Sequence, residues 1–337
     1  MTSAPTTDAS TVDGADALSA ILVRLGLARA GQPIEFEALS GGVSSDIWVV
    51  RTADRPFVVK RALEQLKVDA DWHAPLARVA SEAAWLEYAG AVVPGSCPRV
   101  LAFDAETFTM ALEYLDPAEH RNWKSELLAG RVDPGVAASV ASRLGRVHAA
   151  SAGDTALAAR FDHADLFESL RIEPYLVRAG AAVPEAREQL AEIAQSLRAT
   201  RVGLVHGDVS PKNILIGAEP MFLDAECATW GDPAFDAAFC LTHLVLKRIH
   251  LAAQGAALRA SAHAFQDAYL AEVDWEDADA ASRRIDRIVP ALLLARVAGA
   301  SPVEYLDDGS RARVRSLAIT ALRTGVPVGA LLDDEEG

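Results

Sequence analysis

Between residues 203 and 236 the short apolar runs GLV, NILIG and MFL are separated by polar turns, and the joints carry His206, Asp208, Asn213, Asp224, Glu226, Asp232 and Asp236. Runs of this length bounded by turn residues read as short strands, here a small hairpin inserted among helices. The acids therefore sit at strand ends beside a core. A carboxylate desolvated there is costly unless it binds a cation or accepts hydrogen bonds, which makes Asp208 and Asp224 candidates for metal binding or proton transfer. Donors that are all oxygen, from Asp, Asn and Glu, suit Mg²⁺ rather than Zn²⁺, and magnesium in turn points to phosphate chemistry.

The rest of the pattern divides the chain. Residues 15 to 28 show helical spacing that ends at Gly31 and Pro33. IEFEAL, SSDIWVVRT and RPFVVKRA then read as an antiparallel meander, a helix is predicted from Pro75 to Tyr88, and RVLAFD and TFTMALEYL return to strands. From about 133 onward the signal is helical apart from the hairpin. The expected class is α+β, in two lobes: a small β-rich N-terminal lobe with one helix over 15–115, and a larger helical lobe over 116–332. Residues 1–14 lack periodicity and 333–337 form an acidic tail, so disorder is expected at both ends.

The chain has 32 Lys and Arg against 47 Asp and Glu among 337 residues, a formal charge of −15. No basic patch is available to follow a nucleic acid backbone, so nucleic acid is excluded as a partner. Cys97, Cys227 and Cys240 are odd in number and show no CxxC spacing, which implies neither a disulfide framework nor zinc and points to a reducing compartment. The polar, acidic N-terminus is unlike a secretory signal and no apolar stretch is long enough to span a bilayer, so a cytoplasmic protein with no membrane partner is expected.

Asp208, Asn213 five residues later and Asp224 eleven beyond that follow the catalytic-loop and metal-binding spacing of the protein-kinase-like fold. With HGDVSPKNIL at this place, the chain resembles the aminoglycoside phosphotransferase and choline kinase-like family. The resemblance implies a two-lobed kinase-like enzyme that uses ATP and Mg²⁺. It gives Asp208 the role of orienting the acceptor hydroxyl and taking its proton, makes Asn213 and Asp224 metal ligands, and leaves His206 to organise the loop. Asp236 resembles the family's buried aspartate that braces this loop. DAECATWGDPAFD resembles the corresponding segment of methylthioribose kinase, which adds Glu226 as a metal-ligand candidate, and LRIEPYL, Leu170 to Leu176, resembles that enzyme's acceptor side. Asn213 departs from the methylthioribose pattern and puts that substrate in doubt.

A kinase-like enzyme also needs parts in the first lobe. Lys60 ends FVVK on the third predicted strand, where it could reach the nucleotide phosphates, although the alternation of Phe57, Val58 and Val59 does not decide which way it points. Glu82 and Glu87 both flank the apolar face of the next helix, and spacing does not choose between them. SEAAWL resembles the family pattern that makes Glu82 the partner of Lys60. The loop SGGVSSD, Ser40 to Asp46, with Ser40, Gly41, Gly42, Ser44 and Ser45, sits between the first two strands and could bring amides and hydroxyls to phosphate. By position in the family, the backbone of Glu113, Tyr114 and Leu115 would read adenine.

The expected activity is transfer of the γ-phosphate of ATP to a hydroxyl of a small molecule, by a monomer or homodimer. A cationic acceptor such as an aminoglycoside or amino alcohol would use Asp232, Glu304, Asp307 and Asp308; a neutral sugar would use hydroxyl-bonding groups; Arg296 becomes relevant for an acceptor bearing phosphate or carboxylate. The alternatives are a metal-dependent hydrolase built on His206, Asp208, Asp224 and Glu226, which has no use for Lys60, and a nucleotide-binding protein without catalysis.

Overall fold

A computed structural model describes residues 9–39, 45–63, 76 and 78–333. Five strands, β1 (Glu35–Ala38), β2 (Ser45–Arg51), β3 (Pro56–Ala62), β4 (Val100–Asp104) and β5 (Thr109–Glu113), form an antiparallel sheet in the order β1-β2-β3-β5-β4. Side chains alternate across a strand, so β3 divides into two sets. Phe57 and Val59 pack with Val50, Ala111 and the apolar side of helix α1 (Ala9–Arg24), where Leu18, Ile21 and Leu22 are buried. Val58 and Ala62 face the other way, toward Met110, Leu112 and helix α2 (Arg78–Val92), which contributes Val79, Ala83 and Leu86. Each aliphatic side chain buried in this way is worth roughly 1.5–3 kcal/mol, so the helices on both faces hold the sheet's register. Lys60 falls in the α2 set.

Two boundaries differ from the sequence expectation. Helix α1 begins at Ala9, inside the segment expected to be aperiodic, because ASTVDGAD carries no apolar face for periodicity to register. It ends at Arg24 rather than near Gly31: Gly26 adopts φ 72°, and the Leu27 amide reaches back to the Leu22 carbonyl at 2.9 Å. Helix α2 spans Arg78–Val92, one turn further along than expected, while Pro75 lies outside the described residues.

After Glu113 the chain crosses into a helical half. Strand β6 (Arg121–Asn122) leads into α3 (Trp123–Leu128), α4 (Pro134–Ser151), α5 (Thr155–Arg160) and α6 (Ala164–Phe167). A π-helical stretch, Glu168–Val177, follows, then α7 (Arg178–Ala182) and α8 (Arg187–Ala199). Strands β7 (Gly203–Val205), β8 (Ile214–Ile216), β9 (Pro220–Phe222) and β10 (Thr229–Gly231) precede α9 (Ala234–His250), α10 (Gly255–Ala271), α11 (Ala278–Ala298), α12 (Asp308–Thr324) and α13 (Val328–Asp333). The expected hairpin is β8–β9, with β6 on its outer edge, but β7 pairs with β10 instead of joining it. Helix α9 is buried from Ala234 to Lys247 and forms the axis of the half, with α10 and α11 packed against it. No helix among the described residues is long and apolar enough to cross a membrane.

Candidate active site

Lys60 is 4% exposed, and its Nζ lies 2.7 Å from Glu82 Oε2 on α2 and against Asp224 Oδ1 from the helical half. Burial opposes the lysine's charge, but Asp224, Glu82 and Glu226 outweigh it and hold the ammonium above its usual range. Burial pushes Glu82 up to about 7 against the pull of Lys60. Burial also works against the Asp224 carboxylate, and Lys60 and Lys212 reverse it, holding that group below the ordinary range. Asp224 reaches this position with φ 65°, a left-handed conformation that costs a non-glycine residue roughly 1–2 kcal/mol. Glu87, the other candidate on α2, pairs with Arg160 at the surface.

The loop from His206 to Asn213 hangs on Asp236 at the start of α9. Asp236 is fully buried and accepts the amides of His206 at 2.6 Å and Gly207 at 2.8 Å, while His148 Nε2 donates to it at 3.2 Å. His206 Nε2 lies 3.1 Å from the Leu223 carbonyl and Nδ1 accepts the Asp208 amide at 3.2 Å, so both ring nitrogens are spent on backbone. Burial lowers its pKa and keeps the ring neutral. Gly207 has φ 80°, and a Cβ there would stand 2.7 Å from the Cys227 Cβ, so only glycine fits. These contacts fix Asp208, which is 5% exposed.

Asp208 Oδ2 lies 3.1 Å from Arg171 and 3.2 Å from Lys212. Burial alone would raise its pKa; Lys212 and Arg171 overturn that and hold the carboxylate well below the usual range. It is therefore an anion that can orient a hydroxyl and receive a proton late in a reaction. Arg171 was not anticipated from the sequence. It comes from the π-helical stretch, is 7% exposed, and also donates to the carbonyls of Gly207 and Leu170. Its signal was a charged residue inside the apolar run LRIEPYL. Ser210 was missed too; its Oγ is buried and has no partner among the described residues.

Asn213 donates through Nδ2 to the Asp208 carbonyl at 3.2 Å, which turns its amide oxygen the other way, and Leu223 donates to its backbone carbonyl at 2.8 Å. With the Asp224 carboxylate it offers oxygen donors of the kind Mg²⁺ takes when phosphates and waters complete its shell. Among the described residues no three His, Cys, Asp or Glu side chains converge as a protein-only metal cage. Glu226 accepts from the buried Arg78 at 3.2 Å. Ser40, Gly41, Gly42 and Ser44 lie outside the described residues. Ser45 opens β2 opposite Ala62, on the same face as Lys60, and its buried Oγ has no partner among the described residues. Glu113 ends β5 and binds Arg99, and Tyr114 and Leu115 carry the chain across to the helical half.

Three of the four acids expected to greet a cationic acceptor already have partners. Asp232 is 3% exposed and held by Arg284 and the Ala234 amide, Asp307 caps α12 through the Ser310 amide, and Glu304 pairs with Lys124. Asp308 lies in the first turn of α12. The hydrolase ligand set also fails, because the ring nitrogens of His206 are already bonded.

A five-stranded antiparallel sheet that sets a Lys–Glu pair above a helical half bearing the loop acids defines a protein-kinase-like enzyme. Within that class the chain belongs to the Phosphotransferase enzyme family, whose profile matches residues 35–280. A choline/ethanolamine kinase family protein from Mesorhizobium loti shares the fold at TM-score 0.52 and 18% identity, over 94% of this chain and 97% of its own. An aminoglycoside phosphotransferase bound to ADP and hygromycin B aligns over 95% of this chain and 98% of its own, at 14% identity and TM-score 0.48. A spectinomycin phosphotransferase with ADP and spectinomycin aligns at 10% identity and TM-score 0.49, over 94% of this chain and 97% of its own. Comparison with curated protein sequences finds no match.

Proposed function

We propose that the protein transfers the γ-phosphoryl group of ATP, in a Mg²⁺-dependent reaction, to a hydroxyl of a small molecule. The observation that carries this reading is the buried Lys60–Glu82 pair closing on Asp224 across the two halves, with Asp208 fixed on the adjacent loop. Lys60 holds the nucleotide phosphates, Glu82 keeps its ammonium in place, and the Ser45 hydroxyl is a further donor on the same face. Asn213 and Asp224 would hold Mg²⁺, with Glu226 beside them, and the ion would offset negative charge on the phosphates.

Asp208 orients the acceptor hydroxyl in line with the γ-phosphorus. The hydroxyl oxygen forms a new bond to that phosphorus, the bond to the β–γ bridging oxygen breaks, and its electron pair leaves with ADP. The hydroxyl proton passes to Asp208, whose low pKa makes this transfer late and leaves most of the acceleration to positioning and charge. Arg171 and Lys212 keep Asp208 ionised.

The test is ADP release from Mg·ATP across a panel of hydroxyl compounds. Turnover by one class, abolished in both Asp208→Asn and Lys60→Met, is the expected result. Phosphate release that survives Lys60→Met would instead indicate a hydrolase.

A further inference from the structure

The chain is strongly acidic, with a formal charge of −15, yet Arg171, bound to Asp208, is followed by Arg296 and Lys247, each set against an aromatic ring of the helical half. Arg171, already bound to Asp208, lies with its guanidinium 5.6 Å from the centre of the Tyr175 ring, and Arg296 of α11 lies over the same ring at 5.7 Å while donating to the Tyr175 hydroxyl at 3.3 Å. Phe239, His243 and Lys247 follow one another at four-residue spacing along one face of α9. Phe239 sits under Arg171 at 5.7 Å and against the His243 ring at 5.3 Å, and Lys247 lies 5.1 Å from the centre of the Tyr305 ring. His243, between Phe239 and Lys247 on that helix face, links the ring contacts near Arg171 to those at Tyr305.

Much of the strip's bonding capacity is unspent. Lys247 is 1% exposed and its ammonium makes no hydrogen bond or ion pair among the described residues; burial, with Lys124 adding to it and Cys240 and Glu304 opposing it, pushes its pKa down to about 7. His243 is 7% exposed and likewise makes no hydrogen bond among the described residues. Among the described residues the Tyr305 hydroxyl and Arg296 Nε are buried donors without partners; Arg296 spends its Nη1 on Tyr175 and on the carbonyl and hydroxyl of Ser301, and forms no ion pair, with Glu304 the nearby acid. A buried cation is costly unless something of opposite charge shares its site.

We infer that the acceptor carries an anionic group, a carboxylate or a phosphate, held by Lys247, Arg296, His243 and the Tyr305 hydroxyl while its own hydroxyl is presented to Asp208. This rests on the phosphotransferase reading above and names its substrate class. A cationic acceptor would have to place its ammonium among Arg171, Arg296 and Lys247, where like charges repel it.

The experiment saturates the full-length protein with Mg²⁺ and a non-hydrolysable ATP analogue, then titrates four matched three-carbon alcohols by calorimetry: glycerate, glycerophosphate, glycerol and aminopropanediol. The expected result is binding of one or both anions at millimolar concentration, with the neutral and cationic members about tenfold weaker or more. Whichever of glycerate and glycerophosphate binds better identifies the group. Lys247→Met and Arg296→Gln should each weaken the anion about tenfold or more. Lys247→Met should not lower the melting temperature, because it removes a buried charge that has no partner, and Arg296→Gln provides an independent variant should that fold fail. Equal binding of all four alcohols, preference for the amine, or no binding of either anion overturns the inference. If the ATP analogue itself does not bind, the phosphotransferase reading falls first and this inference with it.

Discussion

Replacing Asp236 by asparagine keeps the shape of the side chain and removes its charge. Three donors converge on this carboxylate: the amides of His206 and Gly207, at 2.6 and 2.8 Å, and His148 Nε2 at 3.2 Å. An asparagine oxygen can serve the donors on one side only, and its NH2 then faces a backbone amide on the other. One buried donor left unpaired costs about 1–3 kcal/mol, and each surviving bond loses about 1 kcal/mol on going from a charged to a neutral acceptor. The expected loss is therefore about 3–5 kcal/mol, a large share of the total for a domain whose stability is roughly 5–15 kcal/mol. Urea unfolding should show a lower midpoint with an unchanged slope. The exposed cap variant Asp307→Asn, whose amide oxygen can still accept the Ser310 amide, should cost about 1 kcal/mol or less. Phosphoryl transfer by Asp236→Asn should also fall, because the same amides set the position of Asp208. A loss below about 1 kcal/mol, or full activity, would refute the claim that Asp236 holds the loop.

Glu82→Gln should weaken Mg·ATP use about tenfold or more in kcat/KM by releasing Lys60, while Glu87→Gln, at the surface, should match the wild type. Gly207→Ala meets both a φ of 80° and a contact of 2.7 Å with Cys227, so a severe drop in thermal stability and in activity is expected. Lys247 has a folded pKa of about 7 against an ordinary 10.5, so between those values the unfolded chain binds more protons and stability rises with pH. Lys247→Met should accordingly exceed the wild type in stability most near pH 7 and below, and the gap should close as pH rises toward 10; a gap that does not change with pH contradicts the burial of an unpaired ammonium.

What the sequence could reveal depended on how local each signal was. The loop acids and their spacing were legible because Asp208, Asn213 and Asp224 lie within one short segment whose apolar runs are unmistakable. The direction of Lys60 was not, since helices cover both faces of β3 and Phe57, Val58 and Val59 are apolar without alternation. Glu82 and Glu87 looked equivalent on a helix; the sheet beneath α2 distinguishes them. The pairing of β7 with β10 spans the whole catalytic segment, and no turn signal marks it. The cationic strip is assembled from Arg171, Lys247 and Arg296, which are dozens of residues apart and individually resemble ordinary helix charges. Only their shared contacts with Tyr175, Phe239 and Tyr305 bring them out.

Calorimetric titration of the protein with ATP, with and without Mg²⁺, tests the central claim most directly, using Lys60→Met and Asp224→Asn beside the wild type. Saturable binding of Mg·ATP at one site is expected, weakened about tenfold or more by either substitution and by omitting the metal. Absence of binding, or binding indifferent to Lys60, Asp224 and Mg²⁺ alike, would contradict the account.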